Sequence, residues 1–119
     1  MSIIANAIII RIDKHDRTDA ESKAYFTDGV PARIPCFLAP YSETKWQLGA
    51  TIKDCSETIF IMDDDLVTVP TESRPVIGDR VVAKFVDESD NEAVHMLVVL
   101  ARPNKFGSLS HLELFLKKV

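Results

Sequence analysis

Apolar and polar residues alternate along much of this chain with the period of two that a half-buried strand requires. In Ile8-Ile-Ile-Arg-Ile12, positions 8, 10 and 12 fall on one face, and Ile9 and Arg11 on the other. Arg33-Ile-Pro-Cys-Phe-Leu-Ala39 predicts a second strand. Pro35 has no N–H to donate, so it belongs at a sheet edge or a strand start. Glu57 to Met62, Arg80 to Val86 and Glu92 to Ala101 predict three more strands. In a last one Leu112, Leu114 and Leu116 alternate with Glu113, Phe115 and Lys117. Short turns at Asp87 to Asn91 and Arg102 to Gly107 join the last three, as in an antiparallel meander. No long segment repeats at 3.6 residues, so no helix is predicted to cross between parallel strands. The expected fold is mostly β, a small antiparallel β-barrel or sandwich of about six strands with long loops.

The connections carry the polar residues. Asp13 to Gly29 predicts a long loop, with a short helical turn at Ala20 to Ala24 and a turn at Asp28-Gly29. Ser42 to Leu48 predicts a short helix capped by Ser42 and closed by Gly49. Asp63, Asp64 and Asp65 repel one another and are expected in solvent. A proline-bounded loop, Pro70 to Pro75, follows, and Val76-Ile-Gly78-Asp79 turns into the next strand.

At 119 residues, with 46% hydrophobic and 27% charged, the chain fits a single domain, 1–119, with a real core. The 14 basic residues are scattered and 18 acids outnumber them, which argues against a basic nucleic-acid patch. The apolar N-terminal run has no basic residue before it, and Ala5-Asn6-Ala7 lies inside it, unlike a signal peptide. It is also much shorter than the ~20 residues of a membrane span. It reads as a first strand or arm over residues 1–12, in a protein made and used in the cytoplasm or in a particle assembled there. Cys36 and Cys55 stand 19 positions apart without a Cys-x-x-Cys. Two reduced thiols are expected, with a single disulfide as the alternative.

Candidate chemistry is sparse. His15 near Asp13, Asp16 and Asp19 lacks a ligand spacing and reads as a hydrated polar loop. His95 sits in an apolar strand. His111 lies two positions before Glu113, on the same face, as cross-strand polar pairing would place it. Asp63-Asp64-Asp65 does not match the alternating pattern of a calcium loop. There is no nucleophile elbow, glycine-rich phosphate loop or His-Glu-x-x-His. The expectation is no catalytic residue, no metal and no cofactor. Trp46, the single tryptophan, suits a core position or an interface anchor.

The C-terminal third carries a resemblance. Gly78-Asp79-Arg80-Val81-Val82, a strand, a turn, Glu92 to Ala101, a further turn and Ser110-His111-Leu112-Glu113-Leu114 follow in that order. This arrangement is similar to the small β-barrel head-completion proteins of tailed bacteriophages with long non-contractile tails, also called head–tail connector stoppers or head-closure proteins. The likeness covers about half of the chain, and its motifs are short. The polar segment Asp13 to Gly29 and the acidic tripeptide depart from it, so adaptor, stopper and tail-joining layers all stay open. The resemblance implies a structural protein of the virion neck, assembled in the host cytoplasm as a homo-oligomeric ring. Its partners would be a portal or adaptor protein, a tail-joining protein and packaged DNA that it passes or blocks. It implies a channel loop over residues 63–77, with Asp63, Asp64, Asp65, Thr71, Glu72, Ser73 and Arg74 as its polar positions. Subunit contacts are expected from Ile3, Ile4, Ile8, Ile10 and Trp46, and from arms supplied by the N-terminal run and by Asp13 to Gly29. Two alternatives remain. One is a small barrel binding nucleic acid or protein. The other is a metal-dependent hydrolase using Asp13, His15 and Asp16.

Overall fold

The computed structural model describes residues 5–40, 55–86, 92–105 and 110–119. Ile3, Ile4, Trp46, the helix expected at Ser42 to Leu48 and the turn at Asp87 to Asn91 lie outside these residues. Eight strands are present among those described: β1 (Ala7–Asp13), β2 (His15–Thr18), β3 (Ala24–Phe26), β4 (Val30–Pro40), β5 (Glu57–Met62), β6 (Arg80–Phe85), β7 (Val94–Asn104) and β8 (His111–Lys118). Six of them close into a barrel in the order β1-β4-β5-β8-β7-β6, and every neighbouring pair is antiparallel. The predicted meander is β6-β7-β8. Closure gives every barrel strand a neighbour on both sides, although β4 pairs with β5 only over Phe37–Pro40 and β7 with β6 only over Val94–Leu97.

The interior is aliphatic. Ile9, Ile12, Ile34, Ile59, Ile61, Val81, Met96, Leu114 and Leu116 are all essentially inaccessible and belong to one cluster. The alternation in β1 runs opposite to the expectation from its hydropathy. Ala7 and Ile9 point inward, while Ile8 and Ile10 are only half-buried. Between Ile9 and Arg11 the register slips against both β4 and β6. This β-bulge inserts one residue and moves the inward phase by one, so Ile12 is again inside. A second slip, between Val98 and Leu100, does the same for β7. Pro35 is exposed, on the stretch of β4 that pairs with β1 before β5 comes alongside at Phe37. Its missing N–H therefore leaves no ladder bond unmade.

Two loops expected from composition are instead structured. Asp13 to Gly29 contains the two-stranded sheet β2–β3. No helical turn forms at Ala20 to Ala24. The Asp19 carboxylate accepts hydrogen bonds from the Glu21 and Lys23 amides at 3.0 and 2.8 Å, and Ser22 takes φ 66°, so the chain reverses there as a hairpin. The acidic tripeptide is not a solvated loop but the first turn of a short helix, α1 (Asp63–Leu66). Lys105 Nζ meets the Asp63 carboxylate at 2.7 Å, which offsets part of the mutual repulsion of the three acids. Only Asp64 of the three is fully exposed, and Leu66 is buried in the barrel core.

Cys36 and Cys55 form no disulfide. Burial at the centre of β4 pushes the Cys36 thiol from its ordinary 9.0 up to about 12. The folded chain thus keeps this proton at a pH where the unfolded chain loses it, and stability present below pH 9 drains away above it. Cys36→Ala should flatten the alkaline limb of a urea-stability curve by about 1.4 kcal/mol per pH unit between pH 9.5 and 11. An unchanged slope would show that another group governs that limb.

Candidate functional site: an arm and a cover at one end of the barrel

The end of the barrel where β1 and β5 finish and β4 and β6 begin carries two additions. One is the β2–β3 hairpin, an arm. The other is the segment from α1 to Gly78, a cover. Each is fixed by a buried aspartate.

Asp13, 2% exposed, ends β1 opposite Arg80 at the start of β6. Its Oδ2 accepts a hydrogen bond from Arg80 Nε at 2.6 Å, and its Oδ1 one from Arg11 Nε at 2.8 Å. The Arg80 guanidinium lies 4.6 Å over the ring of Phe26, the last residue of the arm. The Phe26 and His15 rings meet edge to face with centroids 6.0 Å apart. Gly29 is the one residue that fits beside this pair, because a Cβ there would run into Asp13 Oδ1 and Arg11 Cδ.

Asp79, 1% exposed, holds arm and cover together. Its carboxylate accepts the His15 amide at 3.0 Å, the Val76 amide at 3.0 Å and the Lys14 ammonium. Lys14 Nζ also donates to the Arg74 carbonyl at 2.8 Å, and Arg74 Nε donates to the Val69 carbonyl at 3.1 Å. The turn Val76 to Asp79 closes through Asp79 N–H to Val76 O at 3.1 Å. Gly78, at its third position, has φ +95°, which only glycine adopts without strain. Gly78-Asp79-Arg80 thus has a structural reason at each residue, and Val81 follows into the core.

Local turns shape the cover. Val69 N–H donates to Leu66 O, a 3₁₀ turn spans Thr71–Ser73, and Leu66 and Val69 pack into the core. Of the seven polar positions expected in the channel loop, Asp64, Thr71 and Glu72 are exposed. Asp63, Asp65, Ser73 and Arg74 are half-buried, and Asp63 accepts Lys105 Nζ at 2.7 Å. The hydropathy pattern gave no warning of three exposed apolar residues in the same region, Val67 (68%), Val76 (53%) and Ile77 (60%).

The polar groups of the arm are engaged mainly with one another and with the barrel end. Asp13 is committed to two arginines, Asp16 is exposed 3.8 Å from Arg17, and His15 Nε2 lies 2.9 Å from Thr18 Oγ1. The three residues weighed for a metal hydrolase do not converge. Among the described residues no three His, Cys, Asp or Glu side chains gather as a metal site would need. Tyr25 carries the Arg17 guanidinium 4.3 Å from its ring and Lys23 Nζ at 5.3 Å. Cations of the same chain therefore occupy the ring that a base-stacking platform would offer. In β8, Glu113 pairs across the strands with Arg102, and His111 Nε2 lies 3.4 Å from Asn104 Nδ2, the cross-strand pairing expected for both.

No protein-family model matches this chain, and no curated protein sequence does. The outer edges of the arm strands are open for contact beyond His15, whose amide goes to Asp79, since β2 and β3 pair only with each other among the described residues. Such edges present N–H and C=O groups to another chain. Of the expected interface residues, Ile8 and Ile10 point outward from β1. With Arg33, Lys84, Phe85 and Val86 they line a shallow groove of about 330 Å³.

Proposed function

We propose that this chain is a structural joining subunit that forms a ring with copies of itself, and that the ring is the head–tail connector of a tailed bacteriophage. The single observation that carries this reading is the arm. A hairpin whose strands pair only with each other among the described residues is fixed to a closed barrel by two buried carboxylates, at the end that also bears the cover. A catalytic protein needs converging reactive groups in a concavity. A joining protein needs a rigid core that presents strand edges and arms to neighbours, and the described residues supply these. The order of the Gly78-Asp79-Arg80-Val81 strand and the His111-Leu112-Glu113-Leu114 strand supports the same reading. The ring sits in the virion neck between a portal or adaptor protein and a tail-joining protein, after assembly in the host cytoplasm. It acts on packaged DNA by blocking or passing it. The 3₁₀ turn Thr71–Ser73, exposed at Thr71 and Glu72, is the part of the cover assigned to the channel, where the Glu72 carboxylate repels phosphates and favours sliding over sticking.

Electron microscopy of particles from a phage or prophage lacking this gene is the test. Filled but leaking heads beside complete, separate tails are expected, with joining restored by the purified protein. Normal particles would refute the reading. Removal of residues 71–73 alone tests the channel assignment. It spares Leu66 and Val69, which a longer deletion would strip from the core. Particles that join tails but lose DNA are expected, and normal DNA retention would remove the turn from the channel.

A further inference from the structure

The arm continues a ladder that starts in the barrel. β1 pairs with β4 as far as Ile12 and Val30, Thr27 N–H donates to Lys14 O at 2.9 Å, and β2 then pairs with β3. Near the tip Asp19 N–H donates to Lys23 O at 3.0 Å. In an antiparallel ladder, bonded pairs alternate with pairs whose backbone groups face away from each other. These two bonds and the register between them turn the main chain of His15 and Thr18 outward on β2, and that of Ala24 and Phe26 outward on β3. The His15 amide, held by Asp79 outside the ladder, has this direction.

The two outer edges of the arm are not alike. β2 is bulged between His15 and Arg17, and its base is closed by Asp79. On β3 the N–H and C=O groups of Ala24 and Phe26 have no hydrogen-bond partner among the described residues. Elsewhere the chain blunts its one-sided strands. Pro31 and Pro35 lie on the stretch of β4 that pairs only with β1, and Pro103 on the stretch of β7 that pairs only with β8. Each lacks the N–H that an added strand would bond, a common protection of edges. β3, Ala24–Phe26, carries no such block.

We infer that two copies of this chain join edge to edge along β3, about a twofold axis at Tyr25, into a four-stranded antiparallel sheet. In this register Ala24 of each copy lies opposite Phe26 of the other. Each such pair exchanges two N–H···O bonds, so the open groups of both edges are all satisfied. A shift by two residues would set Phe26 against Ser22 in the turn, at φ 66°, or Ala24 against Asp28, outside the strand. The side chains suit the same register. A methyl faces a ring at both Ala24–Phe26 pairs, and the two Tyr25 rings meet on the other face as an aromatic cross-strand pair. Four strands also exceed the marginal stability of a lone hairpin. A twofold contact is complete with two copies and does not build a ring. The inference therefore goes beyond the ring reading: this dimer is the free chain before joining, with the arm edge shielded from other strands.

Sedimentation equilibrium of the full-length chain, with two variants, tests this contact. The wild-type chain should pass from monomer to dimer as its concentration rises. Tyr25→Cys should form a disulfide between the substituted positions of two copies under mild oxidation, since residues of a non-bonded cross-strand pair stand about 4.5 Å apart at Cα. Asp16→Cys, exposed on the far strand, should not. Ala24→Pro removes one outward N–H from each copy and none from the hairpin's own ladder. It should weaken the dimer about 30-fold (about 2 kcal/mol, for two lost hydrogen bonds) with unchanged circular dichroism. A wild-type chain that stays monomeric, a position-25 disulfide no faster than one from position 16, or a dimer indifferent to Ala24→Pro would overturn the inference. The disulfide result stands even where the proline variant loses its arm. Joining in the particle test bears on the ring reading alone.

Discussion

Asp79→Ala is expected to cost about 3–5 kcal/mol of folding stability, the range for removing one partner of a buried charge pair. For a chain of this size that corresponds to a fall in Tm of roughly 12–20 °C. Three donors lose their acceptor at once: the Lys14 ammonium and the His15 and Val76 amides. Lys14 keeps only the Arg74 carbonyl. Urea unfolding followed by circular dichroism gives the magnitude. Limited proteolysis gives the location, with new cleavage in the arm and around Val76 before the barrel strands yield. Asp79→Asn keeps an acceptor oxygen but not the charge, and should lose clearly less. A loss under 1 kcal/mol for the alanine variant, with no new cleavage, would show that this carboxylate does not hold the end of the barrel together.

The second large effect separates function from folding. His15 and Phe26 are paired across the arm, and both lie against its base. Replacing residues 16–25 with an Asn-Gly pair converts the arm into the tightest hairpin that keeps this pair, since Asn-Gly favours a two-residue turn of matching twist. The barrel should unfold within a few degrees of the parent. Joining of heads to tails should fall steeply, because even one lost interface anchor of about 2 kcal/mol weakens each contact roughly 30-fold. Infectious titre after addition of the purified variant to deficient particles measures this. Full joining by the armless chain would assign the contact to the barrel wall alone.

The barrel was legible in the sequence where strand contacts are local in pattern. Glu57–Met62 was predicted to the residue because a short run of β-branched and apolar residues stops at the acids that follow it, and β6-β7-β8 because short turns join them. The inward face of β1 was not legible. Five apolar residues in seven offer two equally good phases, and the bulge that chooses between them arises from pairing with β4 and β6. The arm was hidden for a different reason. Its fixing contacts join residues 64 and 67 positions apart, His15 to Asp79 and Asp13 to Arg80, so a polar composition reads locally as loop. In the cover, the repulsion among Asp63, Asp64 and Asp65 was visible in the sequence, whereas the partner of Asp63, Lys105, stands 42 positions away and was not. The outward placement of Ile8 and Ile10 beside Arg33 and Lys84 is a property of the closed sheet, and no spacing in the chain encodes it.

The shared carboxylate at the foot of the arm has a mechanical consequence. Asp79 grips the arm at His15 and the cover at Val76, while Lys14 ties the arm to Arg74. A load applied to the hairpin tip is therefore delivered to the cover through two or three short bonds, with no slack chain between to absorb it. Whatever pulls on one must tilt the other.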